Sequence, residues 1–124
     1  MKKSDFPCEF QIAVTDVSFI SQTYLHKGVN SVLSDGGIFV SLIKPQFECG
    51  RQALGKSGIV GKSSDRAGAI VRVFDSAMLN GFSVMDLIRS PIEGGSGNVE
   101  FLAYFIKSDD PVNLVTDKKI KGLS

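Results

Sequence analysis

At 124 residues, 43% hydrophobic and 22% charged, the chain has the size and composition of one ordinary soluble domain, able to bury roughly two thirds of its extended surface. A formal net charge of +1 argues against a generally nucleic-acid-coated surface, and no apolar run approaches the ~18 residues that would span a bilayer. Two cysteines, Cys8 and Cys49, with His26 as the one histidine, give neither a disulfide framework nor zinc spacing and read as free thiols in a reducing cytosol.

Met1-Lys2-Lys3 is followed by polar residues rather than an apolar stretch, so no signal peptide is read, and residues 1–9 are expected to fray. Phe10 to Thr15 (FQIAVT) reads as a strand that ends at Asp16. From Ser18 to Leu33, apolar residues fall at Phe19, Ile20, Tyr24, Leu25, Val29, Val32 and Leu33. That spacing predicts one helix face, with Gly36 or Gly37 as the stop. Gly37 to Glu48 (GIFVSLIKPQFE) then reads as a strand buried on both faces and ended by Pro45, which has no amide hydrogen for a ladder. Strand, helix and strand make a right-handed βαβ unit with parallel strands. Lys44 falls at the carboxyl end of the second strand, where open α/β sheets place their ligands.

Residues 45–63 are too long for an ordinary connection and read as a lid or binding loop. The window is locally basic: Lys44, Arg51, Lys56, Lys62, Arg66 and Arg72 face Glu48 and Asp65. Such a patch either meets phosphates or is a solvated loop. A helix is predicted over 65–80, capped by Ser63 or Ser64, with Ala67, Ile70, Val71, Phe74, Ala77 and Met78 inward and Asn80-Gly81 as its end. Phe82 to Arg89 and Val99 to Ile106 are the third and fourth strands. Their joining loop, 90–98, is too short for a helical crossover, so they are expected to pair antiparallel. Residues 107–124 form a polar, lysine-rich tail expected to be disordered rather than docked.

Two glycine patterns lead nowhere. Gly61-Lys62-Ser63 resembles the end of a phosphate loop, but position 56 is a lysine where the motif needs glycine, and no strand runs directly into it. Gly94-Gly95-Ser96-Gly97 sits in a strand-to-strand turn and opens no helix. The more specific pattern is Asp16 ending the first strand, Lys44 ending the second and Glu100 starting the antiparallel fourth. The carboxyl end of a parallel strand and the amino end of an antiparallel one share a sheet edge, so the three charges are expected at one rim.

Around those charges the blocks DVSFIS (16–21), IKPQFE (43–48) with Gly50-Arg51, Gly55-Lys56, GIV (58–60), SPI (90–92) and GNVEFL (97–102) occur in that order. Together, over roughly residues 10–106, they resemble the carboxyl-terminal half of the TlyA-type proteins, labelled hemolysins and also known as ribosomal RNA 2′-O-methyltransferases. The resemblance implies an α/β fold, a partial Rossmann-like methyltransferase sheet of two parallel strands plus an antiparallel pair with flanking helices. It implies S-adenosylmethionine as cofactor and ribosomal RNA as substrate. The related FtsJ-like enzymes use a Lys-Asp-Lys-Glu tetrad, and Asp16, Lys44 and Glu100 match its last three members as catalytic residues. Asp16 and Phe19 are expected at the cofactor, and Lys44, Arg51, Lys56 and Lys62 at the RNA.

The family's amino-terminal RNA-binding domain, first tetrad lysine and glycine loop have no counterpart read in this sequence. The expectation is therefore the carboxyl-terminal part of a cytoplasmic RNA methyltransferase, inactive alone, which pairs through its open first-strand edge with itself or with a separate amino-terminal half. The alternative is a non-catalytic interaction module using that same edge. A pore-forming role, suggested by the hemolysin label, finds no spanning or long amphipathic segment.

Overall fold

The computed structural model describes residues 8–55, 58–92 and 97–124, apart from the side chain of Arg51. The strands are β1 (Phe10–Thr15), β2 (Leu33–Ile43), β3 (Phe82–Arg89) and β4 (Phe101–Lys107), and the helices are α1 (His26–Val32), α2 (Ser63–Leu79) and α3 (Asp117–Leu123). They form one four-stranded sheet in the order β1-β2-β4-β3. β1 and β2 are parallel, and β4 runs antiparallel to both β2 and β3. This is the α/β architecture expected from the sequence, with one parallel pair and the remaining pairings antiparallel.

Alternation along the strands decides what each sheet face does. Phe39 and Ile43 of β2, Phe101, Ala103 and Phe105 of β4, and Val84 and Leu87 of β3 point to one face and are buried. Ile70, Val73, Phe74 and Ala77 of α2 close over them, joined by Val29 from α1 and Ile120 from α3. The Phe39 and Phe105 rings stack at 5.4 Å between centroids, and Phe82 meets Phe39 at 5.2 Å. The opposite face carries Ile12, Val14, Ile38, Val40, Leu42, Leu102, Tyr104 and Ile106, all half-buried or exposed. β2 is thus buried on one face and half-covered on the other, rather than buried on both as its unbroken apolar run suggested.

Several elements depart from the sequence-based expectation. The helix expected over 18–33 is reduced to the short helical turn Gln22–Tyr24 and α1, and β2 begins at Leu33 instead of Gly37. Lys107, on β4, donates to the carbonyls of Asn30 and Leu33 at 2.8 and 2.7 Å, which closes α1 where the strand takes over. Gly36 does not stop a helix. It lies inside β2 at φ 76°, at an irregularity in the β1–β2 register. α2 begins at Ser63 behind Lys62, and neither Ser63 nor Ser64 caps it by a side-chain hydrogen bond. Its buried face uses Ala69 and Val73, with Val71 exposed and Ala67 and Met78 at the margin.

The tail is ordered and docked, contrary to expectation. Val84 exchanges backbone hydrogen bonds with Val112 and Leu114, Thr116 caps α3, and Val115 and Ile120 enter the core. Residues 1–7 of the expected frayed terminus and most of the Gly94-Gly95-Ser96-Gly97 turn lie outside the described residues. Among the described residues, no helix is long and apolar enough to cross a membrane.

A buried polar seam runs under the parallel pair. His26 is fully buried, with Nδ1 2.8 Å from Ser76 Oγ and Nε2 3.1 Å from Gln22 Oε1. Gln22 Nε2 donates to the Leu42 carbonyl, so its Oε1 is the acceptor for both His26 and Ser41, and Ser41 in turn meets Thr15. Nε2 therefore carries a proton and donates to Gln22, and with burial favouring the neutral ring Nδ1 is left to accept from Ser76.

Burial lowers the His26 pKa to about 4 from 6.5. Between those values the unfolded chain binds a proton that the folded chain refuses, so stability falls as pH drops from about 6.5 toward 4. Urea unfolding should lose on the order of 3 kcal/mol across that interval from this group. His26→Gln should flatten that part of the profile.

Candidate active site

β1 and β2 end side by side because they are parallel, with Thr15 opposite Ser41. The next residue of each path to solvent is charged. Lys44 Nζ lies 2.5 Å from Asp16 Oδ1 and donates to Ser18 Oγ at 3.0 Å. The lysine side chain is 14% exposed and the aspartate 64%, so the pair sits at the rim with the lysine stem packed and the aspartate open to water. Glu100 reaches the same edge from the other direction: β4 is antiparallel to β2, and Phe101 stands opposite Ile43. Glu100 is buried, and its Oε2 accepts from Gln46 Nε2 at 2.9 Å.

Asp16 and Lys44 thus meet, and Glu100 immediately precedes the neighbouring strand β4 at the same sheet edge. Among the described residues no ion pair joins Lys44 to Glu100. Gln46 stands between the strand ends. Its Oε1 is buried and has no hydrogen-bond partner among the described residues.

Phe19 lies on the loop after Asp16 and is 88% exposed. Its φ is 70°, a conformation that strains a bulky side chain, and its ring rests 5.2 Å from that of Phe47. Sequence reasoning picked out Phe19 but missed what holds it. Glu48, 6% exposed, accepts from Ser21 Oγ at 2.5 Å and from the Gln22 amide at 2.7 Å. Burial pushes the Glu48 carboxyl above its usual pKa, and the bonds from Ser21 and Gln22 and the Arg72 charge pull the other way. The signal was available: Gln46, Phe47 and Glu48 lie in the IKPQFE block, and Ser18 and Ser21 in DVSFIS.

The basic segment is only partly available to a ligand. Arg72 donates to the Glu48 carbonyl, and Arg66 donates to the carbonyls of Val60 and Ser124. Lys62 is exposed and lines a groove of about 350 Å³ with Cys49, Ser64, Asp65 and Arg72. Lys56 and the Arg51 side chain lie outside the described residues. Burial raises the Cys49 pKa, which leaves the thiol a poor nucleophile at neutral pH.

Residues 1–107 match the FtsJ-like methyltransferase family. The chain is 38% identical over 94 residues to the "Putative rRNA methyltransferase YqxC" of Bacillus subtilis, covering 76% of this chain and 34% of that protein. It is 32% identical over 99 residues to the 16S/23S rRNA (cytidine-2′-O)-methyltransferase TlyA of Mycobacterium tuberculosis, covering 80% and 37%. Among solved structures, the "Putative hemolysin from Streptococcus thermophilus" is 43% identical with a TM-score of 0.93, covering 99% of this chain and 44% of that one. The chain thus spans little more than a third of the length of these two curated relatives.

An exposed partner screens the Lys44–Asp16 pair, so its contribution to folding should be small. A double-mutant cycle with Asp16→Asn and Lys44→Met, read by urea unfolding, should give a coupling of at most about 1 kcal/mol. A coupling of about 3 kcal/mol or more would mark the pair as part of the structural core instead.

Proposed function

The chain belongs to the FtsJ-like methyltransferase family, and on that premise we propose that it is the reaction-side part of a ribosomal RNA ribose 2′-O-methyltransferase that uses S-adenosylmethionine. The observation that carries this proposal is the ion pair of Lys44 with Asp16 at the carboxyl rim of the parallel strands, with Glu100 on the adjacent strand end. The names of the relatives support the substrate class. Ribosomal RNA as substrate puts the protein in the cytoplasm.

Asp16 and Phe19 suit the cofactor: one short loop offers a carboxylate for its cationic and hydroxyl groups and a flat, exposed ring for its purine. When bound, S-adenosylmethionine supplies an electrophilic methyl group. The ammonium of Lys44 has three N–H donors, and Asp16 and Ser18 take two. The third is left to hold the ribose 2′-hydroxyl or the phosphate beside it. Asp16 fixes where Lys44 stands, and Glu100, held by Gln46, provides the second acidic wall of the site. Lys62, with Arg51 and Lys56, meets the RNA backbone through its phosphates.

We also propose that this chain does not transfer methyl groups by itself. The first tetrad lysine and the glycine loop that places the cofactor have no counterpart read in it, and placement supplies much of the rate in such a reaction. With labelled S-adenosylmethionine and 16S or 23S ribosomal RNA, the pure chain should show no transfer. Addition of the amino-terminal part of a full-length relative should restore it, and Lys44→Met should then lower the rate roughly 100-fold or more. Transfer by the pure chain would overturn the inactivity.

A second reading, an interaction module, is favoured by the edge strand. Ile12 and Val14 on β1 are 61% and 72% exposed, and they continue into the half-covered outer face of the sheet. Parallel strands are ordinarily covered on both faces, so this surface suits an apolar partner, either a second copy or an amino-terminal half. Sedimentation should detect concentration-dependent dimers of the isolated chain, and Val14→Lys should leave a monomer. A parent chain that stays monomeric at several hundred micromolar would count against self-association.

A further inference from the structure

Five consecutive residues, Lys44 to Glu48, leave β2 in a tight helical turn, Pro45–Phe47, and four of them fasten the site. Lys44 holds Asp16 and Ser18, Gln46 holds Glu100, Phe47 packs on Phe19, and Glu48 holds Ser21 and the Gln22 amide. Lys44 and Glu48 therefore grip the two ends of the same stretch, 16–22. Between those grips lies Phe19, with its strained backbone and exposed ring. No regular element spans 16–21, so these grips, with the capping bonds that Ser21 makes to Thr23, determine its path.

We propose that Glu48 is a positioning residue: it holds the 16–22 loop so that Asp16 stands over Lys44 and Phe19 stays displayed beside them. The proposal rests on Asp16 and Lys44 being the reactive pair, and it adds a residue outside the four-residue tetrad. A carboxylate that is 6% exposed is costly to place unless it is satisfied, and Glu48 is satisfied almost wholly by the loop. Its link to α2 runs through Arg72, whose charge favours the carboxylate and whose hydrogen bond goes to the backbone. Arg72 donates to the backbone carbonyl of Glu48, and that contact survives any side-chain change at position 48. Strain at Phe19 persists only where its surroundings over-determine the backbone, and Glu48 supplies the restraint on the side away from Lys44.

The test uses the isotope-labelled 124-residue chain and needs no methyl transfer, so failure of the enzymatic proposal would be read separately. In Glu48→Ala, amide exchange at Gln22 should quicken roughly 10- to 100-fold, while the amides of Phe39 and Phe105 keep their protection. The nuclear Overhauser contacts between the Phe19 and Phe47 rings should disappear. Glu48→Gln should restore both signals, because its carbonyl can accept from the Gln22 amide and its NH₂ can donate to Ser21 Oγ. A Glu48→Ala chain with an unchanged loop, or a Glu48→Gln chain as loose as Glu48→Ala, would overturn the proposal. If Glu48→Ala does not fold, Glu48→Met, which keeps the bulk and removes both acceptors, carries the same test: faster exchange at Gln22 with an intact core supports the proposal, and no change overturns it.

Discussion

Ile43 stands opposite Phe101 in the β2–β4 ladder, and both the core and the site depend on that register. It sets Phe39 against Phe105 and Ser41 against Ala103, so the inner face fills with rings and small residues. A slip of one residue would turn Phe101 and Phe105 to the opposite face and leave the space under α2 empty. The same register brings the end of β2 level with the start of β4. Lys44 and Glu100 become neighbours in space through the pairing of apolar side chains, without any contact between the two charges. The packing energy of the sheet, rather than electrostatic attraction, therefore assembles the rim.

Much of that was legible in the chain. The strand FQIAVT, the Phe82–Arg89 strand and the stop at Lys44-Pro45 follow from composition and from the missing amide of proline. The short 90–98 connection forces an antiparallel pair, and the placement of Glu100 follows from it. What escaped was set by residues distant in sequence. Helical spacing over 18–33 is real, yet only 26–32 form an α-helix, because Glu48 binds the Ser21–Gln22 end and Lys107 closes the other. The tail reads as polar because Val115 and Ile120 are its only buried apolar residues in the docked form, and two such residues leave little periodicity.

The two faces of the sheet have different energetic roles. The inner face combines a dense aromatic core with one fully bonded polar seam through His26, Gln22 and Ser41. A seam of that kind is costly when half-made and rigid when complete, and it lies directly beneath the parallel strands whose ends carry Asp16 and Lys44. The outer face has apolar side chains from three strands and lacks a covering layer among the described residues. Asp16, Lys44 and Glu100 fall at the rim where these two faces meet, in step with the outer-face positions Val14, Leu42 and Leu102.

The charge distribution near the rim separates the two purposes a basic side chain can serve. Arg66 and Arg72 donate to backbone carbonyls and act as struts between α2 and the loops. Lys44 makes no such bond. Its stem is packed and its ammonium stands at the rim, where its counter-charge is an aspartate at 64% exposure that water screens. A screened rim pair of that kind adds little to stability. On the proposed reading, an N–H of that ammonium is left for a further anion or hydroxyl, at the edge where β1 and β2 end and β4 begins.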